Sequence, residues 1–420
     1  MRTALVSAPW TSGLPGLVNA LSHPSTGSPF PTIQAAHDYV AALPSRGHLY
    51  VPAGTYGESS TPAYTGLTVA DNVNVFGDGR EASVLTMLDQ DPALDCVQIE
   101  GSNITIENLG ITGQGVAGTG VGVRFGPGGD PQRHIWLRDV TIEHPASWGV
   151  YFTGDPGNDI TILSGLERVR IQHLHNNGAA YIGPGCTTIR FSAVNMAVTP
   201  VGAPIVKVEG GENCIFNDNC SFESTADCVY FEWATGGQLL FGLTVENCYF
   251  ETHNAAPAEY LFHMSGASGG ALVGGYIGKN IIKRYPEGVG AQNGNKPLLM
   301  KLTGTGPHYG ITLEHNRIYE NRSGSVPLDD VSITGQHEVI LIKNVIYSRT
   351  GGIGRAIQCT GSTAGVLDWD HKRFQLPRLG ANPGSNLQGS MFRDVIAAGS
   401  KQFTGAAWQT LATTGAEEEE

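Results

Sequence analysis

The chain has 420 residues with a formal net charge of −13, 40% hydrophobic and 15% charged residues, and 57 glycines. That length can bury a large core. The acidic balance argues against non-specific nucleic-acid binding, and the glycine content favours turn-dense β structure over helical bundles. No run of about 18 apolar residues exists, so no membrane-spanning helix is expected.

In chain order, the opening MRTALVSAPWTSGLPG has one arginine and no sustained apolar core, so no signal peptide is expected. Residues 1–30 read as an N-terminal extension. The next stretch, PTIQAAHDYVAALPSRGHLYVPAGTY (31–56), predicts a helix over about 32–43 and then a strand. Thr32 is a plausible N-cap, and Ile33, Ala36, Val40 and Leu43 share one helical face.

From there to about residue 365 the sequence repeats itself loosely. An apolar-x-apolar unit running into glycine recurs as CVQIEGS (96–102), VGVRFGP (121–127), GVYFTG (149–154), AAYIGPG (179–185), IVKVEGG (205–211) and LFHMSG (261–266). A second alternating unit follows each, as in NITIENLGI (103–111), HIWLRDVTI (134–142) and LTVENCYF (243–250). Asn108, Asp139, Asn219, Asn247, Asn316 and Asn344 sit between two short apolar runs in these second units.

Three short strands per unit cannot bury their own apolar faces. Stacked units can, because each pairs its backbone with the unit above and below. Asn, Asp and Gly suit the left-handed corners such a coil requires. The seven cysteines include no CxxC pair and fall mostly in strand-like stretches, which favours buried free thiols over disulfides or metal ligands. Residues 366–420 do not repeat and read as a C-terminal capping or oligomerisation segment.

Taken together, the 31–56 stretch and the glycine-punctuated units resemble the right-handed parallel β-helix of the pectate-lyase superfamily, which includes polygalacturonases and many phage tailspikes. The resemblance implies an all-β solenoid of about ten or more coils with an N-terminal capping helix. It also implies a lateral groove on the strand that precedes the glycine turn.

Alternation then assigns outward side chains on that strand. One column reads Gln98, Arg124, Tyr151, Tyr181, Lys207, Tyr230, His263, Lys301, Ser332 and Gln358. A second includes Glu100, Thr153, Glu209, Glu232 and Ser265. Tyrosines beside cations and carboxylates suit sugar rings and their acidic substituents, while high β propensity alone would also place tyrosine there. Arg124, Tyr151, Tyr181, His263 and Lys301 are therefore the expected substrate contacts. Glu209 and Glu232 are the sharpest acid pair; side by side in register they would form the close dyad of a retaining glycosidase. A lyase fits instead, with Lys207, Arg124 or His263 contributing and Tyr230 or Tyr181 as acid or base, and an ion-paired ladder in which Lys207 offsets the two glutamates fits as well. Asp227, in Ala226-Asp227-Cys228, is similar to the Asp-Asp-Cys of polygalacturonases. Here the first Asp is Ala226, and the family's Asn-Thr-Asp, Gly-His-Gly and Arg-Ile-Lys motifs are missing.

His173, His175 and Asn176 have metal-like spacing, but a histidine replacing a corner asparagine accounts for them better, and His253, Asn254, Glu314 and His315 read the same way. No cofactor and no metal site are expected; calcium is left open without being indicated. The expected function is binding and degradation of an extended polysaccharide by a lyase or glycoside hydrolase, in a tailspike-like depolymerase or a secreted enzyme. The alternative is a non-catalytic glycan-binding adhesin or spike module. A homotrimer and an extracellular or virion-associated location accompany the first reading; nucleic acid and membrane insertion do not.

Overall fold

The computed structural model describes residues 16–45, 47–126, 131–153, 161–197, 203–224, 231–233, 239–252, 260–266, 271–283, 298–304, 308–320 and shorter strand segments from 329 to 411. Side chains beyond residue 223 are described in part.

The strands stack into three long sheets whose neighbours come from successive coils, and the chain is a parallel β-helix. One eleven-stranded sheet runs from Leu67–Val69 through Val123–Phe125, Val150–Phe152, Ala180–Ile182 and Val206–Val208 to Ala356–Thr360. A second holds eighteen strands, and a third holds eleven, from Gly54–Tyr56 to Val345–Ser348. Pairing is parallel within the stack until Gly365–Asp368 meets Arg373–Gln375 antiparallel. Further along, Met391–Asp394, Gly399–Phe403 and Trp408–Leu411 form a separate antiparallel sheet.

Three-residue strands suffice because each contributes two inward residues. Val97 and Ile99, Val123 and Phe125, Val150 and Phe152, and Val206 and Val208 are all buried, while the residue between each pair is not. Stacking in register puts like side chains on like. Phe125 lies on Phe152 with ring centroids 4.2 Å apart, Phe191 on Phe216 at 4.6 Å, and Phe222 on Phe250 at 4.5 Å. Cys96, Cys186, Cys214, Cys220 and Cys248 are free and buried in this core.

One corner column shows how the coil turns. Asn108, Asp139, Arg168, Ala193, Asn219, Asn247, Lys279 and His315 all have φ between 50° and 68°. Each is followed by an inward residue, from Leu109, Val140, Val169 and Val194 to Cys220, Cys248, Asn280 and Asn316. The expectation of a corner asparagine holds at Asn108, Asp139, Asn219 and Asn247. Asn316 departs from it: His315 takes the left-handed position and Asn316 points inward. There the Asn280 amide donates to Asn316 Oδ1 at 3.0 Å, and Asn316 Nδ2 donates to the Ile277 carbonyl at 2.9 Å. Arginine, alanine and lysine also occupy the corner, since the backbone bonds of the stack impose the left-handed conformation. Asn344 lies outside the described residues.

Among the described residues one short helix, Ile33–Ala41, packs on the first coils. Thr32 caps it by accepting from the Ala35 N–H at 2.9 Å, as the sequence predicts. Buried His37 accepts from the Ala70 N–H at Nε2, 3.1 Å away, which ties the helix to the solenoid. Among the described residues, no helix is long and apolar enough to cross a membrane.

Candidate functional site

The outward column of the first eleven-stranded sheet is fixed by its register. Gln98 pairs with Arg124, Arg124 with Tyr151, Tyr151 with Tyr181, and Tyr181 with Lys207. Lys207 then pairs with Glu232, Glu232 with His263, His263 with Lys301, Lys301 with Ser332, and Ser332 with Gln358. Arg124, Tyr151, Tyr181, Lys207, Glu232, His263 and Lys301 therefore occupy successive rungs of one wall.

The register departs from the sequence-based alignment at one rung. Glu232, not Tyr230, pairs with Lys207, and Phe231 pairs with Val206. Glu209 is two residues beyond Lys207, so Glu209 and Glu232 are diagonal neighbours rather than a facing pair. At strand and coil spacings of about 3.3 Å per residue and 4.8 Å, their backbones are about 8 Å apart. The close dyad of a retaining glycosidase, at about 5 Å, does not follow from this register. The cause is that alternation fixes which face a side chain takes, while a slip of two residues leaves that face unchanged. Tyr230 and Asp227 lie outside the described residues, as do His253 and Asn254.

The described rungs form a continuous polar ladder. Asp95, only 4% exposed, receives two bonds from the Arg124 guanidinium, Nε at 2.5 Å and Nη2 at 3.0 Å. It also accepts from Gln98 Nε2 at 3.0 Å and from the Val121 N–H at 2.9 Å. Arg124 lies 4.7 Å over the Tyr151 ring, and Tyr151 stacks on Tyr181 at 4.3 Å with the planes 13° apart. The Tyr181 hydroxyl donates to Glu209 Oε2 at 2.5 Å, and Lys207 Nζ holds Glu209 Oε1 at 2.6 Å.

Because the tyrosine rings stack on each other, the faces between them are covered. Burial raises the Tyr181 phenol well above its ordinary value, and the neighbouring Glu209 carboxylate adds to the effect. Tyr181 is thus a phenol that keeps its proton. Gly178 leads into this strand. A Cβ there would come within 1.9 Å of the Pro204 carbonyl oxygen, so the close approach of successive coils requires glycine.

A second cluster lies on the turns that lead into the same sheet. Glu143 and His144 end one coil, and Gln172 and His173 end the next, with Glu143 paired to Gln172 in register. His144 and His173 both adopt left-handed corners, φ 53° and 55°, so the corner reading of His173 matches its backbone. Their rings stack at 4.8 Å, and His144 Nδ1 lies 3.3 Å from His175 Nε2. Ligand atoms of Glu143, His144 and His173 lie within 4.8 Å of one another. Sequence reasoning singled out His173 and His175 but missed His144, which is 31 residues from His175 in the chain. The signal was a histidine at the same place in two consecutive units, EH at 143–144 and QH at 172–173. Below the third sheet's corner, Arg80, Asp139, Arg168, Arg170 and Glu223 line a recess of about 600 Å³. Arg168 there is engaged with both Asp139 and Glu167.

No protein-family model matches the chain, and no curated protein sequence does. Among solved structures, it is similar to the A-module of the mannuronan C-5 epimerase AlgE4 of Azotobacter vinelandii, with 17% identity and a TM-score of 0.46 over 80% of this chain and 94% of that one. It is also similar to the catalytic unit of a GH87 α-1,3-glucanase from Streptomyces thermodiastaticus, with 12% identity and a TM-score of 0.48 over 81% of this chain and 66% of that one. A third likeness is to PfbA, a surface adhesin of Streptococcus pneumoniae, with 9% identity and a TM-score of 0.44 over 91% and 94% of the two chains.

Proposed function

We propose that the Arg124–Lys301 wall binds an extended polysaccharide and that the Tyr181–Glu209–Lys207 cluster acts on it, in a lyase or a glycoside hydrolase. The observation that carries this reading is the placement of Glu209. One carboxylate on a solvent-facing wall is held at both oxygens, by a phenol on one side and an ammonium on the other. A column of hydroxyls and charges repeated once per coil also matches a chain of sugar units better than a compact ligand.

The chemistry suits elimination. A lyase must remove a proton beside a uronate carboxylate and protonate the departing glycosidic oxygen. Tyr181, held protonated, can give its proton to that strongly basic alkoxide. Lys207 and Arg124 supply positive charge along the wall, and Glu209 positions both Lys207 and Tyr181. Glu232, opposite Lys207, is the further candidate acid or base, with His263 and Lys301 continuing the substrate contacts. Tyr230 and Asp227 remain candidates from sequence alone. In its finer form the reading takes ten or more coils closed by the N-terminal helix, in a tailspike-like homotrimer outside the cell or on a virion.

The test is digestion of uronate-rich and neutral polysaccharides by the purified protein. New ultraviolet absorbance from unsaturated ends identifies a lyase, and reducing ends without it identify a hydrolase. Glu209→Gln and Glu232→Gln should each lower the rate at least about tenfold.

One observation favours a second reading, a non-catalytic glycan-binding module: charges on the wall compensate each other, Arg124 with Asp95 and Lys207 with Glu209. Glycan binding without product, unchanged in both glutamate variants, would establish that reading. Absence of both binding and product would overturn the two together.

A further inference from the structure

We propose that Glu143, His144, His173 and His175 form a binding site for a zinc-class divalent transition metal on the turns between the third sheet and the groove sheet. Three imidazoles and one carboxylate are donors of intermediate hardness, the set that suits Zn²⁺ and Co²⁺ over Ca²⁺ or Mg²⁺. The geometry is close to that of a loaded site. His144 Nδ1 and His175 Nε2 are 3.3 Å apart, and two nitrogens bound at about 2.0–2.1 Å to one tetrahedral ion are separated by about 3.3–3.4 Å. Ligand atoms of Glu143, His144 and His173 lie within 4.8 Å of one another, and His175 adjoins that trio through His144.

A supporting shell is present as well. The Gln172 amide donates to one oxygen of Glu143, which orients the carboxylate and leaves its other oxygen for the ion. Glu143 and His144 are half-buried and His173 is exposed, so the ion has a route in from solvent. An ordinary hydrogen bond between His144 and His175 would explain their 3.3 Å approach, but not the convergence of His173 and Glu143 on the same place.

The metal would join two consecutive coils. The loop after His144 carries Trp148, whose ring is 5.6 Å from Tyr181, and the loop after His175 leads directly into the Tyr181 strand. A bound ion would therefore pin the turns that begin the polar ladder. This inference stands on the corner cluster alone and is independent of any polysaccharide activity.

The experiment is a titration of chelator-treated protein with Co²⁺, followed by its visible ligand-field absorption, with Zn²⁺ and Ca²⁺ as competitors. One Co²⁺ per chain should bind, with the intensified absorption of a tetrahedral site. Zn²⁺ should displace it and Ca²⁺ should not. His144→Asn and His173→Asn keep a residue that tolerates the left-handed corner, so circular dichroism should be unchanged in both. Each should weaken Co²⁺ binding by at least about tenfold, and the double variant by about a hundredfold or more. His315→Asn, at a distant left-handed corner, should bind as the unaltered protein does. No ligand-field signal, undiminished affinity in the folded double variant, or equal competition by Ca²⁺ would each overturn the proposal.

Discussion

The ladder on the groove sheet and the histidine corner beside it are built by the same stacking of coils, yet they end in opposite chemical states. In the ladder, every charge meets a complement: Asp95 with Arg124, Arg124 with the face of the stacked Tyr151–Tyr181 pair, and Tyr181 and Lys207 with Glu209. In the corner, like stacks on like. His144 lies on His173 and beside His175, and burial followed by the neighbouring imidazoles lowers the proton affinity of His175. A solenoid repeats positions without choosing what fills them. Where alternate coils offer opposite partners, the column closes on itself; where they offer the same donor, it gathers ligands around one point.

The largest effect should come from removing the ladder's floor. Phe152 is buried directly below Tyr151's strand position and stacks on Phe125 at 4.2 Å. Phe152→Ala should cost about 3–5 kcal/mol in unfolding free energy, measured by denaturant titration. Substituting His144 by Asn at the half-buried corner should leave the same titration nearly unchanged. Equal losses at the two places would show that the corner is as much a part of the packed core as the ladder is.

A smaller effect is expected at Asp95. Asp95→Asn leaves Arg124, itself 24% exposed, without its counter-charge. The cost should be about 1–3 kcal/mol, in keeping with one partner of a buried charge-assisted pair being lost. A double-mutant cycle with Arg124→Gln should recover part of it, because the guanidinium is then no longer stranded. Purely additive losses would mean that the pair contributes no coupling and that the ladder is a row of independent residues.

The smallest effect is one of pH, and a histidine outside both regions calibrates it. Burial lowers the proton affinity of His37 from the ordinary imidazole value of 6.5, against the raising influence of Asp38. The neutral ring accepts from Ala70. The unfolded chain therefore binds a proton before the folded one does as pH falls. Stability should be full above pH 6.5 and decline as pH drops from there toward the folded-state value. His37→Gln should flatten that part of the profile, read from urea midpoints on either side of pH 6.5. An unchanged slope would assign the acid response to other groups, the corner histidines foremost.

Much of this was legible in the residues. Val97–Ile99, Val123–Phe125 and Val206–Val208 announce their inward faces by alternation, and Thr32 announces the helix start. The same alternation picked Arg124, Tyr151, Tyr181 and Lys207 for one wall. It failed at Glu232, because Val229, Phe231 and Trp233 are all apolar and alternate equally well, so no local feature chooses which of them meets Val206. It failed again at Asn316, where His315 takes the bend and the amide turns inward to a partner one coil away.

The sequence by itself determined that short strands would stack as a solenoid and which parity of residues would face out, because burial of apolar side chains at a period of two is a local demand. Only the tertiary structure decided which coil faces which. That choice is made by backbone bonds between segments some thirty residues apart, and it is what sets Glu232 opposite Lys207 and His144 beside His175.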